Sequence, residues 1–563
     1  MRSMMALALG AAGAAALMAP PYSRPPMAWN SWFALQTHIN ATNLIASMQA
    51  LVDLGLRDAG YAYANIDGGW EGGRLANGSI FPNMTAFPQG LEPVAAAARS
   101  LGLGFGMYTD KGPGTCDGRT GSGGHYAQDA AYYAHLGASY VKVDSCGGTQ
   151  DHDGAMDLYA AFGEALASAY AAVGLPMPFY SLCGWYAFYA ASAFSRGVGN
   201  SWRIGPDALS WQNVLINVDT AANTGAFTGR GQYNDVDEIG PNISPAQQAS
   251  QMNLIAIIGS PLLLSVDLLH AAPGSLDWAM APEVIAVHQD DAPTGPRYAR
   301  VAGGPLAARL LSPLTHLPCD ASDPRVVWAT AQSPARPGWR TVSPSGSAAW
   351  SLHANHAWSD DYCSHNEQAW LAPSANATCC DEACSNQLFT FSHSDGTIAN
   401  RIFNSSISHF PGPFLTVDAV PNTLFFNQRF NASDARAAAQ TFSLINVTAD
   451  ADIVMLSSRV DGTCIGAPAR LPDTTNVWAR RLADGSAAFL FLNNGAEAMS
   501  IGCNEACLMA GGGFAASAVL HVRDIRARVD AGTVAVAEGY AVTVPPGGAS
   551  AMFRMTPSTA RAP

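Results

Sequence analysis

Between about residue 27 and residue 295, short apolar runs alternate with segments whose apolar residues recur at helical spacing. YAYANID, LGFGMYTD, SYVKVD and MPFYSLC have the β-branched and aromatic character of strands. Between them, Asn43 to Leu56 sets Leu44, Met48, Leu51 and Leu54 on one helical face. EPVAAAARSLG and YAQDAAYYAHLG each end on a glycine suited to a left-handed helix cap. Alternating β and α over about 270 residues implies a parallel sheet, and the length fits a closed (β/α)8 TIM barrel over 25–300. A doubly wound open sheet is the structural alternative.

The polar residues that interrupt these runs fall at strand ends, where barrel active sites sit. Asp67 ends YAYANID, Tyr108 and Asp110 end GFGMYTD, and Asp144 ends SYVKVD. Lys142 and Asp144 are two residues apart, so both face the same side of their strand, into the barrel mouth.

Past residue 300 the texture changes. Residues 305–473 are rich in Ser, Pro, Asn and Cys, with short strand-like pieces and the cluster ATCCDEACSNQ, and read as a β-rich insertion. Residues 475–556 show short alternating strands between Gly and Asn turns, which predicts a C-terminal antiparallel β-sandwich. Within it CNEAC can close a tight loop through Cys503 and Cys507. A zinc site there lacks two further ligands at usual spacing, so no metal is expected.

Composition narrows the class. The chain has 563 residues, too many for one core, and its 48% apolar and 13% charged content excludes disorder. A net charge of −14 argues against nucleic-acid and anionic-membrane partners. MRSMMALALGAAGAAALMAPP is laid out as a secretory signal peptide, over 1–19. Sequons at Asn40, Asn77, Asn83, Asn242, Asn376, Asn404, Asn431 and Asn446 and eleven cysteines fit a secreted or lysosome- or vacuole-like destination. Cys183, in the apolar run PFYSLCGWY, is the expected free thiol. Oligomeric state stays open, a homodimer included.

Two carboxylates serve glycosidic-bond hydrolysis, one attacking carbon and one protonating the leaving oxygen. Asp144 is the nucleophile candidate, with Lys142 expected to favour its ionised form. The competing reading is an ordinary inward ion pair. Asp207, Asp235 and Asp237 are the proton-donor candidates, with Arg203 four residues before Asp207. Trp29, Trp70, Tyr108, Trp185 and Trp202 lie near strand ends and offer flat faces for a sugar, or simply pack the core.

In order along the chain stand PPMAWNSW, GYAYANIDGGW, GFGMYTDKGPGTC, GHYAQDAAYYAHLGASYVKVDSC, YSLCGW, GNSWRIGPD, YNDVDEIG and QMNLIAIIGSPLLLSVDL. Together they resemble the catalytic domain of eukaryotic α-galactosidases and α-N-acetylgalactosaminidases, glycoside hydrolase family 27. The resemblance resumes at NVWARRLADGSAAFLFLNN and VRDIRARVDAGTVAVAEGYAVTVPPGG. It implies a retaining exo-glycosidase acting on a carbohydrate substrate without metal or organic cofactor. By the same resemblance Asp144 is the nucleophile and Asp207 the acid/base. Trp29, Asp67, Tyr108, Lys142, Trp185 and Arg203 contact the sugar, and Cys116 pairs with Cys146. Asp235 and Asp237 then become loop-shaping groups.

Two positions depart from the family pattern. Gly68 stands where a second Asp grips galactose hydroxyls, and Gly184 stands where Glu reads the sugar's 2-position. Small residues at this wall, Gly184 and Ala187, are expected to make room for a 2-acetamido group. The missing Asp leaves β-L-arabinopyranose as another candidate sugar. In the insertion, QLFTF at Gln387, QTFSL at Gln440, SHSDGTI and DGTCIGA faintly resemble ricin-type β-trefoil lectin repeats, against a reading as a disulfide-stapled insertion that binds nothing. The rival from a different class is a galactose-binding, lectin-like protein with little turnover.

Overall fold

The structure is a computed structural model that describes residues 22–148, 152–184, 188–291, 298–304, parts of 306–466, and 474–558. Eight parallel strands form the first sheet: β1 (Met27–Asn30), β2 (Tyr63–Asn65), β3 (Gly104–Asp110), β4 (Tyr140–Asp144), β5 (Phe179–Leu182), β6 (Ser201–Arg203), β7 (Tyr233–Asp235) and β8 (Leu262–Leu264). From β1 to β7 each pairs with the next in sequence, and β8 returns to pair with β1 at Met27↔Leu262. A parallel bridge from Ile239 to Leu264 joins the end of β7 to β8. The sheet therefore closes into a barrel, which excludes the open doubly wound alternative.

Eight helices, one after each strand, cover the barrel: α1 (Ala41–Asp53), α2 (Glu92–Ser100), α3 (Tyr126–Leu136), α4 (His152–Ala172), α5 (Phe188–Arg196), α6 (Trp211–Thr224), α7 (Pro245–Ile258) and α8 (Pro282–His288). α1 starts at Ala41 because Asn40 and Asn43 exchange side-chain-to-backbone hydrogen bonds, a reciprocal cap, and it buries Leu44, Met48 and Leu51. α3 stops at Gly137, whose φ of 67° lets the backbone turn left-handed. From Ser250 to Ile258 α7 is buried on all sides. A helix apolar all round needs cover on both faces. Here the C-terminal domain supplies the outer cover, through Asn253 Nδ2 to Ser550 Oγ at 3.0 Å and Arg526 Nη2 to the Ala249 carbonyl at 2.9 Å.

That domain is a six-stranded antiparallel sheet facing a two-stranded one, over a core including Phe489, Phe491, Leu520 and Phe553. Its first strand, β9 (Tyr298–Ala302), pairs antiparallel with β10 (Thr475–Arg481), so the domain begins before the insertion and not after it. Barrel and C-terminal domain form one compact unit, Met1–Gly303 with Thr475–Pro563, and Gly304–Thr474 forms a second. The second unit thus leaves and rejoins the chain between two paired strands, where lengthening a connection costs little entropy. Its described strands are antiparallel, and Cys319 is bonded to Cys464. Gln387 and the ATCCDEACSNQ cluster lie outside the described residues, and Gln440 is buried. Cys503 is bonded to Cys507, and Cys183 is buried and free. Among the described residues no helix is long and apolar enough to cross a membrane. The sequons at Asn77, Asn242 and Asn446 are exposed.

Candidate active site

Period-two alternation on β4 turns Val141 and Val143 out toward the helices and Tyr140, Lys142 and Asp144 into the barrel. Tyr140 stacks on Phe179 at 5.0 Å, and Phe179 on Tyr233 at 6.3 Å, so an aromatic layer floors the barrel. Above that layer, Lys142 Nζ donates to Asp67 Oδ2 at 2.8 Å. Asn30 Nδ2 donates to the same oxygen at 3.0 Å, and the Gly68 N–H to Oδ1 at 2.9 Å. The cation on this strand is thus tied to Asp67 at the end of β2, not to Asp144 beside it.

Asp144 ends β4, 6% exposed, with Oδ2 accepting from the Tyr108 hydroxyl at 3.0 Å and Oδ1 from the Ser145 N–H at 2.8 Å. Burial pushes its pKa up to about 7; Lys142 pulls it down, while Asp110 and Asp207 push it further up. The sequence expectation that Lys142 keeps this carboxyl ionised gives the right direction for that one charge. Desolvation outweighs it.

The loop after Asp144 is clamped three ways. Cys116 is bonded to Cys146. Asp110 accepts from the N–H groups of Cys146 at 2.7 Å and Gly147 at 3.0 Å. Buried Lys111 donates to Ser145 Oγ at 2.8 Å and to the Gly147 carbonyl at 3.0 Å. No sequence signal singles out Lys111, since a lysine in a glycine-rich loop is ordinarily solvated. Asp110 and Asp144 also lie near the two sulfurs, but a disulfide offers no thiolate to a metal.

Across the mouth, Arg203 at the end of β6 binds Asp207 Oδ1 through Nη2 at 3.0 Å and Asp237 Oδ1 through Nη1 at 2.8 Å. Asp207 is 26% exposed at its side chain against 5% for Asp237. Asp237 Oδ2 also accepts from the Ala208 N–H at 2.6 Å, which fixes the backbone next to Asp207. Of the three proton-donor candidates, Asp207 alone meets solvent. Asp235, which is buried, accepts from the Asp237 N–H at 2.8 Å, so both act on loop shape.

The aromatic expectations fare unevenly. Tyr108 lies in the site, as above. Trp29 does not: its neighbour Asn30 reaches in to Asp67, so alternation sends Trp29 to the other face of β1. There it is wholly buried, with its indole N–H on the Val266 carbonyl at 3.0 Å. Trp32, which opens the one-turn helix Trp32–Leu35 after β1, lies beside the Gly68 wall, its ring 3.8 Å from where a Gly68 Cβ would stand. Trp70 and Trp202 are buried, with indoles on the Tyr108 carbonyl and on Asn234 Oδ1. Trp185 and Ala187 lie outside the described residues. Among the described residues the room expected at Gly184 is also taken. The Tyr189 ring fills it, well inside contact distance of any Cβ placed there, so among the described residues Gly184 accommodates Tyr189 and opens no recess for an acetamido group.

A buried strand-end carboxylate in a two-donor cradle, facing an arginine-held carboxylate open to solvent, is an arrangement suited to glycosyl transfer to water. Comparison with known proteins agrees. The family model described as Alpha galactosidase A matches residues 24–290. A protein of Dictyostelium discoideum named "Probable alpha-galactosidase" is 38% identical over 270 residues, covering 47% of this chain and 68% of its own. The chain belongs to the alpha-galactosidase A family. Another relative, the alpha-galactosidase A of Cellvibrio japonicus, is 35% identical over 280 residues, covering 47% of this chain and 67% of its own. Alpha-galactosidase I from Mortierella vinacea has a similar structure, with a TM-score of 0.58 over 96% of this chain and 99% of that one. At 17% identity this likeness bears on the fold alone. Membership in the alpha-galactosidase A family makes the chain a glycoside hydrolase with a carbohydrate substrate.

Proposed function

We propose that the chain is a retaining exo-glycosidase that removes terminal α-galactosyl residues by double displacement. The observation that carries the reading is the contrast between two carboxyls at one barrel mouth: Asp144, buried and cradled by Tyr108 and Ser145, and Asp207, held by Arg203 at the solvent edge. In the first step an Asp144 oxygen attacks the anomeric carbon, the glycosidic C–O bond breaks, and Asp207 gives its proton to the departing oxygen. In the second, Asp207 takes a proton from water as that water displaces Asp144 from the same carbon. The aromatic floor of Tyr140, Phe179 and Tyr233 closes the barrel below and supports an end-on, exo mode.

Two variants of the full chain test the roles. Asp144→Asn should abolish turnover of an aryl α-galactoside while the protein stays folded; near-normal turnover would remove Asp144 as nucleophile. Asp207→Asn should cost poor leaving groups far more than activated aryl ones, and equal loss would remove the acid role.

A second reading, β-L-arabinopyranoside hydrolysis, is favoured by one observation. Gly68 presents no side chain where a Cβ would stand 3.3 Å from Tyr108 Cε1, so the wall has no carboxylate at that point. Rates on aryl α-galactoside and aryl β-L-arabinopyranoside, measured side by side, separate the two. We also propose a secretory route, supported by the disulfides at Cys116–Cys146, Cys319–Cys464 and Cys503–Cys507 and by the exposed sequons at Asn77, Asn242 and Asn446. Loss of apparent mass on glycosidase treatment of natively expressed protein is the check.

A further inference from the structure

Along β4 the Lys142 backbone lies one pleat, about 7 Å, below that of Asp144, and its ammonium holds Asp67. A pyranose whose anomeric carbon meets Asp144 therefore turns its opposite edge, with its ring hydroxyls, toward that layer. On the β2 side the layer has Asp67 but no side chain at Gly68. On the β7 side it has something that no sequence signal announces.

The chain leaving β7 takes a left-handed step at Asp237, a non-glycine residue with φ 76°. Such a step is costly for a side-chain-bearing residue and breaks the in–out alternation of an extended chain. Asp237 is committed to Arg203 and the Ala208 N–H, and the residue after it, Glu238, is turned into the protein at 2% exposure. Its backbone is locked on both sides. Gln251 Nε2 donates to the Glu238 carbonyl at 3.2 Å, and Ile239 exchanges hydrogen bonds with Leu263 and Ser265 at 2.8 and 2.9 Å. Glu238 Oε2 nevertheless has no hydrogen-bond donor among the described residues. The Ser265 hydroxyl hydrogen-bonds this carboxyl, which leaves Oε2 as its unpartnered oxygen, and Lys142, Asp237 and Asp67 of the deep layer act on it through charge; burial drives its pKa well up against the pull of Lys142 and Ser265.

A buried carboxyl oxygen left without a donor is destabilising unless a ligand provides one. Sugar hydroxyls are donors to a carboxylate and acceptors from a protonated acid, so they fit either state of the group. We propose that Glu238 is a sugar-binding residue that, with Lys142 and Asp67, hydrogen-bonds the hydroxyls on the pyranose edge remote from the anomeric carbon. The inference rests on the glycosidase reading for the direction in which the sugar enters, and makes Glu238 a determinant of glycone choice.

The test is calorimetric titration of the full chain with free D-galactose and L-arabinose, for wild type, Glu238→Gln and Glu238→Met, with thermal unfolding of each. The expected result is a Kd for the better-bound sugar raised about tenfold or more in both variants, with Tm unchanged or higher once a buried carboxyl is removed. KM for the matching aryl glycoside rises with it. A group with a purely structural role would lower Tm and leave Kd alone. Unchanged affinity in folded Glu238→Gln, or a wild type that binds neither sugar, overturns the proposal. Wild type that binds sugar without hydrolysing any glycoside would instead defeat the catalytic reading and leave the Glu238 comparison intact.

Discussion

The hydroxyl of Tyr108 donates to Asp144 Oδ2 at 3.0 Å, from the strand that pairs in parallel with the strand of the nucleophile. Because β3 and β4 are in register at Tyr108↔Lys142 and Asp110↔Asp144, the phenol reaches diagonally up one pleat to the carboxylate. A hydrogen bond to a charged group contributes about 1.5–3 kcal/mol. Tyr108→Phe should therefore lower kcat/KM roughly 10- to 100-fold with folding intact, read on an activated aryl glycoside.

Asp144 binds its proton more tightly in the folded chain, at a pKa of about 7, than at the ordinary 3.8. Below about pH 4 both states hold the proton and nothing is lost. As pH rises toward 7 the unfolded chain ionises freely while the folded one resists, so folded-state stability falls by up to about 4 kcal/mol. Asp144→Asn should therefore unfold at a higher temperature than wild type at pH 7.5, with the gap closing toward pH 4. An equal gap at both pH values would contradict the burial argument.

Lys142 opposes that rise and pairs with Asp67 in a nearly dry layer, with side-chain exposures of 15% and 3%. Lys142→Met leaves Asp67 without its cation, a change that costs about 3–5 kcal/mol for buried pairs. It should lower Tm and move the acid limb of kcat/KM to higher pH, since Asp144 loses the charge that favours its ionised form. A limb that stays in place would show the two groups to be uncoupled.

Asp237 holds Arg203 and the Ala208 N–H, and so sets where Asp207 stands. Asp237→Asn should reduce kcat on glycosides with poor leaving groups more than on activated aryl ones, following the proton-donor step. Equal reduction on both would assign Asp237 to the nucleophile's side.

Asp110 and Lys111 hold the loop after Asp144 independently of its disulfide. The double variant Cys116→Ala, Cys146→Ala should lose about 3 kcal/mol of stability and still turn over substrate at low temperature. Complete inactivity in a folded double variant would make the disulfide the sole organiser of that loop.

Much of this was legible in the sequence where a residue's position follows from a local period. Asp67, Tyr108, Lys142 and Asp144 fall at ends of strands whose in–out alternation is regular, and the barrel brings them together. Trp29 failed by the same rule: β1 ends at Asn30, and counting back one residue from that inward side chain puts Trp29 outside. Trp32, beside the Gly68 wall, lies in a helix of four residues, too short to show a period. Glu238 was hidden by the positive φ at Asp237, which is imposed by Arg203 and Ala208 from elsewhere in the chain. Tyr189 was hidden because filling the space beside Gly184 is a matter of packing, and neither residue type signals it. Helix ends fixed by local chemistry, a side-chain cap at Asn40 and a left-handed glycine at Gly137, are within reach of sequence reasoning.

The central claim is that Asp144 and Asp207 act as nucleophile and acid/base in two successive displacements. Proton NMR of the first minutes of aryl α-galactoside hydrolysis tests it most directly. Two inversions at one carbon predict α-galactose as the first-formed anomer, followed by slow mutarotation. β-Galactose appearing first would mean a single displacement by water and would contradict the account.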